Sequence, residues 1–382
     1  MRIRVRLPKV EPSVYSNPEE CPYKGCQGHH FKPHGVEGER KAIRDPNHEQ
    51  VKSFRHKCLR CGRTFRVYPQ GVSRAEQSDC LKAISVLLYV LGLSYGAVAD
   101  FLEAFGISVC KTTVYNNVQE AGVVSRRRQR ASVAHEGKRA VIGSDGTYVK
   151  VKGEKVGIQV VVDDRNGDLL GLDIIVSENK DDVRQIVARV AKQVEAEVLV
   201  SDDLDVYKGV ADDVGLDHQI CRGHVKRNVD GHAESMIEQL NKHEPLPEGV
   251  KSSPECLEQD LADIQNLVRE RPANGAEELE AMYHRYKAAP VPKVGERHTV
   301  WYRMRMLITR LWERWYRLTL DQRRDDLDGT NNSSERLIGW WIKERYRTMR
   351  GYKRKASILN VVTLTARMGV RSGQYDMAEL YA

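Results

Sequence analysis

Three acidic residues stand where a chain of this kind could build a divalent-cation site. The stretch Arg139-Ala-Val-Ile-Gly-Ser-Asp145-Gly-Thr-Tyr-Val-Lys150 is a short apolar run ending on a carboxylate, and Gly146 lets the backbone bend beside it. A second apolar run, Ala196-Glu-Val-Leu-Val200, ends on Ser201-Asp202-Asp203. Glu335 opens a helical segment after the turn-rich Asp328-Gly-Thr-Asn-Asn-Ser-Ser334. Cleaving a phosphodiester without a covalent enzyme intermediate requires an activated water or hydroxyl and a stabilised leaving oxygen. Two ions about 3.5–4 Å apart do both. Magnesium (or manganese) takes oxygen ligands and retains several waters, so two or three carboxylates anchor a pair. Asp145 is expected to bridge the two ions, with Asp202 on one and Glu335 on the other. Lys150, Arg336 and Arg347 are candidates to stabilise phosphate charge. Asp203 competes with Asp202, since strand alternation sends neighbours to opposite faces. Asp202 directly follows the apolar run and is preferred, leaving Asp203 to cap the next segment.

The elements that must position these acids read as βββαβαβ. Strands are expected at 140–151, 155–163 and 168–176, with Asp164-Arg-Asn-Gly167 as a hairpin turn. A helix follows at 180–194, then a strand at 196–200, a helix near 204–214 and a short strand ending at Cys221. Three antiparallel strands followed by strands alternating with helices predict an α/β fold, a mixed sheet flanked by helices. Residues 222–327 are helix-rich and charged, punctuated by prolines, and read as a helical insertion packed beside the core. Trp312 and Trp315 share one face of its last helix, as core aromatics do.

Ahead of this core lie two smaller modules. Cys21-Pro-Tyr-Lys-Gly-Cys26 and Cys58-Leu-Arg-Cys61-Gly-Arg-Thr-Phe65 pair four thiols on two tight turns, which suits one structural zinc ion in a zinc-ribbon-like module over 1–70. Four cysteines fill the shell, so His29, His30 and His34 are expected to face solvent or phosphate. Residues 71–124 then turn helical. Ser94 is a candidate N-cap, Gly106 a helix stop, and Lys111–Ala121 a second helix, together a helix-turn-helix. Lys111, Thr112, Tyr115, Asn116 and Gln119 would face base edges and phosphates. Arg126, Arg127, Arg128 and Arg130 fall in a basic stretch, 125–138, expected to be a linker along a nucleic-acid backbone. The core is expected in three parts, 139–221, the insertion 222–327, and 328–382 with the Glu335 helix and a C-terminal helix.

Composition agrees with these readings. The 382 residues carry 61 Lys+Arg against 53 Asp+Glu, a net +8 that favours a polyanionic partner where it clusters. A hydrophobic content of 41% supports a packed core rather than disorder. No stretch approaches the roughly 18 apolar residues of a membrane span. The N-terminus lacks a signal-peptide core, so an intracellular protein is expected.

Taken together, the chain resembles a DDE-type insertion-sequence transposase with an RNase H-like core. Asp145 in Ser-Asp-Gly-Thr, Asp202 in Val-Ser-Asp-Asp-Leu-Asp-Val-Tyr and Glu335 in Asn-Asn-Ser-Ser-Glu-Arg match that family's acids in type, order and setting. Cys221-Arg-Gly-His224 resembles the Cys-x-x-His signature of Mutator-like transposases, and the N-terminal modules are similar to the end-binding region of the ISL3-like group. The resemblance implies binding to double-stranded DNA at terminal inverted repeats, metal-dependent nicking and strand transfer into a target. It also implies a homodimer or larger assembly on DNA, in the cytoplasm at the nucleoid. Cys221 and His224 form half a zinc site at most and are expected to orient the active site or contact DNA. Two alternatives are a non-catalytic DNA-binding regulator, which would have no need of all three acids, and an RNase H-like nuclease without strand transfer.

Overall fold

The structure is a computed structural model that describes residues 3–35, 41–73, 76–135, 137–240, 244–348, 351–369 and 374–381. The chain forms two units, one of Met1–His135, Tyr148–Ile158 and Arg336–Ala382, the other of Glu136–Thr147 and Gln159–Glu335.

The first unit begins with seven short strands: β1 (Val5–Arg6), β2 (Glu11–Tyr15), β3 (Phe31–Pro33), β4 (Lys41–Ile43), β5 (Val51–Cys58), β6 (Thr64–Val67) and β7 (Pro69–Gln70). β5 pairs antiparallel with β3, β4 and β6, which places the Cys58–Cys61 turn at one end of its hairpin. Gly62 turns there with φ +71°, a conformation that disfavours any residue with a side chain. Phe31 and Phe65 meet edge to face at 5.0 Å, so this module's aromatic contact is built from two strands. Three helices follow, α1 (Asp79–Val90), α2 (Tyr95–Ala104) and α3 (Lys111–His135). The Ser94 hydroxyl accepts the Ala97 N–H at 3.1 Å, and Gly106 turns away with φ +76°, the two ends expected of α2.

The basic stretch expected as a linker over 125–138 is helix over 125–135, where α3 continues unbroken to His135. Arginine and glutamine are good helix formers, and Ser125 is buried while Arg126 Nη1 donates to Asn360 Oδ1 at 3.4 Å. That tertiary contact comes from a residue 234 positions away, which local charge could not reveal.

A five-stranded sheet has the order β10-β9-β8-β11-β12, with β8 (Val141–Val151), β9 (Glu154–Asp163), β10 (Leu169–Ile175), β11 (Val198–Ser201) and β12 (Asp217–Ile220); all of it but the β8–β9 hairpin Tyr148–Ile158 belongs to the second unit. β8, β9 and β10 follow one another through tight turns, and β11 runs parallel to both β8 and β12. This is the mixed sheet flanked by helices expected from the sequence. β11 is buried along its whole length, which is why it reads as an uninterrupted apolar run. α4 (Lys180–Val194) and α5 (Asp205–Val214) pack their apolar faces inward. The expected insertion folds as α6 (Arg222–Leu240), α7 (Pro254–Glu270), α8 (Gly275–Tyr286) and α9 (Val300–Leu318) around one apolar cluster that takes in Trp301 and Trp315, with Trp312 packed against it. α10 (Asn332–Leu337) carries Glu335.

The stretch 328–382 does not form one piece of the core. Only its part through Glu335 belongs to the second unit, and the chain from Arg336 returns to the first. A π-helical turn (Ile338–Glu344), α11 (Arg345–Thr348) and α12 (Lys355–Met368) follow, and α12 packs along α3. A Cβ on Gly122 would lie 2.5 Å from the Asn360 Cβ, so glycine permits that approach. β13 (Tyr375–Asp376) pairs with β1 and ties the two ends of the first unit together. Among the described residues no helix is long and apolar enough to cross a membrane.

Candidate active site

Asp145 sits midway along β8, the central strand, at its half-buried point. Its Oδ1 accepts the N–H of Gly146 at 2.7 Å. Burial, then the charges of Asp202 and Glu178, push its carboxyl up to about 7. Asp202 follows the last residue of β11, and its Oδ1 accepts the Leu204 N–H at 3.1 Å in a local turn. Its carboxyl is raised as well, by burial first, with Glu335 among the charges that contribute. Asp145 and Asp202, and Asp202 and Glu335, are thus close enough to feel one another's charge. Two carboxylates raised by burial and by neighbouring carboxylate charge, Asp145 and Asp202, are ready to exchange a proton for a cation.

The segment before Glu335 explains how a helix is set against the central strand. Asn331 is fully buried, and its Nδ2 donates to the Ser144 carbonyl at 3.3 Å, one residue before Asp145. Ser333 Oγ donates to the Asp164 carbonyl at 2.6 Å, and the Glu335 N–H donates to the Asn331 carbonyl at 3.1 Å. The polar residues of Asn331–Ser334 therefore dock the first turn of α10 onto β8 and the end of β9. Glu335 then meets α6: His224 Nδ1 lies 3.3 Å and Arg227 Nη2 3.6 Å from its Oε1. The histidine approach is a charge contact without the alignment of a hydrogen bond, because His224 Nδ1 has no hydrogen-bond partner. One donor atom each from Cys221, His224 and Glu335 lies within 4.8 Å of the others. Burial opposes ionisation of Cys221, yet its hydrogen bond to His224 and nearby backbone N–H groups bring the thiol pKa down. The Cys-x-x-His pair thus stands at Glu335.

Asp203 points elsewhere. It is buried, and its carboxylate accepts from Arg310 Nη2 at 2.9 Å, Arg314 Nη1 at 2.5 Å and Asn228 Nδ2 at 3.1 Å. Those partners come from α6 and α9 and make Asp203 a structural anchor.

Sequence reasoning missed a polar chain behind Asp145. Gln159 lies buried in the middle of β9, and its Nε2 donates to both Ser144 Oγ and Tyr207 Oη at 2.9 Å. Tyr207 Oη in turn donates to Glu178 Oε1 at 3.0 Å. One signal was present: a glutamine inside the otherwise apolar Val156-Gly-Ile-Gln-Val-Val-Val162. Glu178 gave none, lying in the polar run Ser-Glu-Asn-Lys before α4.

In the first unit the four N-terminal cysteines converge. Cys21 and Cys61 sulfurs lie 3.7 Å apart and Cys26 and Cys58 sulfurs 3.9 Å apart. Zinc–sulfur bonds of about 2.3 Å in a tetrahedron require sulfur separations of about 3.8 Å, so the donor set fits that ion. A Cβ on Gly28 would sit 2.7 Å from Cys58 Sγ, so glycine leaves the room that the cluster needs. Of the residues expected to face DNA on α3, Lys111, Thr112 and Asn116 are exposed. Tyr115 and Gln119 turn inward instead: Tyr115 meets Tyr95 edge to face at 5.4 Å, and Gln119 accepts from Asn360 Nδ2 at 3.1 Å. Arg127 and Arg130 are exposed further along α3, whereas Arg126 and Arg128 are half-buried. Lys150, Arg336 and Arg347 are exposed residues of the first unit.

Comparison with known proteins adds to this geometry. The family described as "Transposase IS66 family" matches residues 77–347. That description is neither the Mutator-like group read from Cys221 and His224 nor the ISL3-like group read from the N-terminal modules, and a two-residue signature is too short to fix a subfamily. No curated protein matches the chain. Among solved structures, the Drosophila P element transposase strand transfer complex is 10% identical, with a TM-score of 0.38, over 75% of this chain and 92% of that one. The catalytic core domain of BIV integrase is 13% identical, with a TM-score of 0.19, over 53% and 95%. The Mos1 transposase catalytic domain with raltegravir and Mg is 10% identical, with a TM-score of 0.18, over 52% and 90%.

Proposed function

We infer a function from the fact that this chain belongs to the IS66 family of transposases: it binds the ends of its element, cuts a phosphodiester there and joins the freed end to target DNA. The observation that carries this reading is that Asp145, Asp202 and Glu335 are borne on β8, the end of β11 and α10, with the charge of Asp202 felt at Asp145 and that of Glu335 felt at Asp202. All-oxygen donors of this kind fit magnesium or manganese. When bound, a pair of such ions would supply activation of the attacking oxygen and stabilisation of the leaving one. Asp145, Asp202 and Glu335 would hold those ions. His224 and Arg227 fix the Glu335 carboxylate from α6, and Asn331 fixes its helix.

In the first reaction a water oxygen bonds to phosphorus, the bond from phosphorus to the 3′ oxygen breaks, and that oxygen leaves as a hydroxyl. In the second the new 3′ hydroxyl attacks a target phosphodiester, exchanging one such bond for another with no external energy source. Lys111, Thr112 and Asn116 on α3 offer the side chains to contact base edges, and Arg127 and Arg130 reach phosphates. Holding two ends at once calls for at least two copies of the chain.

The test is incubation of purified protein with labelled DNA flanking its reading frame and Mg²⁺ or Mn²⁺. Joined products are expected. Nicking without joining would reduce the function to a nuclease, and binding without nicking to a regulator. Asp145→Asn should lower cleavage on the order of a thousandfold, the effect of losing about 4 kcal/mol of transition-state stabilisation, while end binding persists. Loss of binding and cleavage together would give Asp145 a structural role and sink its assignment.

The four N-terminal thiols hold one structural zinc in this reading. Elemental analysis should find one zinc per chain, and Cys58→Ser should release it and open residues 1–70 to protease. Zinc-free wild type, or the variant, that resists protease as well as the zinc-loaded protein does would refute this.

A further inference from the structure

We propose that Glu178 is a fourth carboxylate of the divalent-cation site, sharing with Asp145 and Asp202 the ion they hold and kept in place by Tyr207. The inference rests on the reading of that site as a cation site. Glu178 lies in the turn between β10 and α4, just before Asn179, whose side chain caps α4. The turn is tied down from within: Asp182 Oδ2 accepts the Val176 N–H at 3.1 Å and an Asn179 Nδ2 hydrogen at 3.2 Å. A charged residue in an exposed polar turn would ordinarily extend into water. This one accepts a hydrogen bond from Tyr207, which is fully buried on α5.

The hydrogen bonds behind it run in one direction. Gln159 spends both amide hydrogens, on Ser144 Oγ and on Tyr207 Oη, and Ser144 Oγ donates to the Val160 carbonyl at 3.1 Å. With Gln159 donating to it, the tyrosine hydroxyl has one hydrogen to give, and Glu178 receives it. The network thus starts from two adjacent central strands and ends by presenting a carboxylate beside Asp145. Both Asp145 and Asp202 lie within electrostatic reach of Glu178.

A second observation points to a ligand. Gln159 Oε1 is buried and accepts no hydrogen bond from the described residues. It faces the same spot as Glu178: a Cβ on Gly146 would lie 3.3 Å from Gln159 Oε1 and 2.3 Å from Glu178 Oε1. Gly146 is the residue whose N–H is held by Asp145 Oδ1. Glycine at this point therefore lets Glu178 Oε1 and Gln159 Oε1 come together against the backbone beside Asp145. The buried Gln159 Oε1 with no donor is unfavourable, and a hydrated cation supplies both charge for the carboxylates and a water hydrogen for that amide oxygen.

The test compares Mn²⁺ binding to full-length wild type, Glu178→Gln, Asp145→Asn and Tyr207→Phe by calorimetry and by the Mn²⁺ spin-resonance signal. The N-terminal thiols do not compete, since manganese prefers oxygen donors. Glu178→Gln keeps an acceptor for Tyr207, so it should fold and melt no lower than wild type in the absence of metal. It should bind the tightest Mn²⁺ about tenfold or more weakly. Tyr207→Phe should lose affinity in the same direction but less. Wild-type affinity in Glu178→Gln, with binding lost in Asp145→Asn, overturns the role of Glu178 alone. Wild-type affinity in both variants removes the cation site itself, and this inference with it.

Discussion

Asp203→Ala is expected to destabilise the second unit by about 3–5 kcal/mol, the range for removing one partner of a buried ion pair. Asp203 is 7% exposed, and the Arg314 side chain only 8%. Arg310 and Arg314 sit one turn apart on α9 and converge on this single carboxylate, while each also donates to the Asp203 carbonyl, at 2.7 and 3.0 Å. Asn228 adds a third donor from α6. Alanine removes the acceptor and leaves Arg314 with Asp205, whose side chain is 79% exposed and so gives weak compensation. Asp203→Asn retains one acceptor oxygen and should lose less. Chemical denaturation of the two variants reads the difference directly, and a loss under about 1 kcal/mol for alanine would contradict a structural role. The same clamp holds the loop that carries Asp202, so cleavage should fall in Asp203→Ala even at temperatures where it stays folded.

The neighbouring pair Asp202 and Asp203 shows where sequence reasoning reaches its limit. Alternation says that they face opposite ways, but what each faces depends on α9, about a hundred residues later. The strands were legible because burial on both faces forces long apolar runs, so β8, β9, β10 and β11 lie within a few residues of their expected bounds. The helix-turn-helix followed from its cap and its glycine. Contacts between distant segments were not legible. The basic stretch reads as solvated until Asn360 is seen against Arg126, and Gln119 reads as a DNA contact until Asn360 is seen to take it. The chain's return to the first unit after Glu335 depends on α12 lying along α3, a packing choice with no local signature. Glu178 was hidden for the same reason, because its meaning comes from Tyr207 on another helix.

Asp145→Asn should make the metal-free protein more stable even as it lowers cleavage, since a buried carboxylate crowded by like charges is held at the expense of the fold. The Asp145 carboxyl moves from an ordinary 3.8 up to about 7, with burial the main cause and the charges of Asp202 and Glu178 adding to it. Between these two values the unfolded chain has already released a proton that the folded chain retains. Unfolding therefore releases protons in that window, and this residue's contribution to stability, intact below about pH 4, is lost as pH rises through 7. The sign is opposite to that of a salt-bridged carboxylate, which loses stability on acidification. Asparagine keeps the shape without the charge, so the variant's advantage should open between pH 4 and 7 and stay level above it. Each pKa unit corresponds to about 1.4 kcal/mol, and the partial exposure of Asp145 reduces the total to about 1–3 kcal/mol. Magnesium or manganese relieves the same repulsion by another route, so either ion should raise the melting temperature of wild type well above its metal-free value and that of the variant far less. Melting curves from pH 4 to 8, with and without the ion, separate the two effects. A variant that melts below wild type at pH 8 without metal would show that Asp145 supports the strand it sits on rather than straining it.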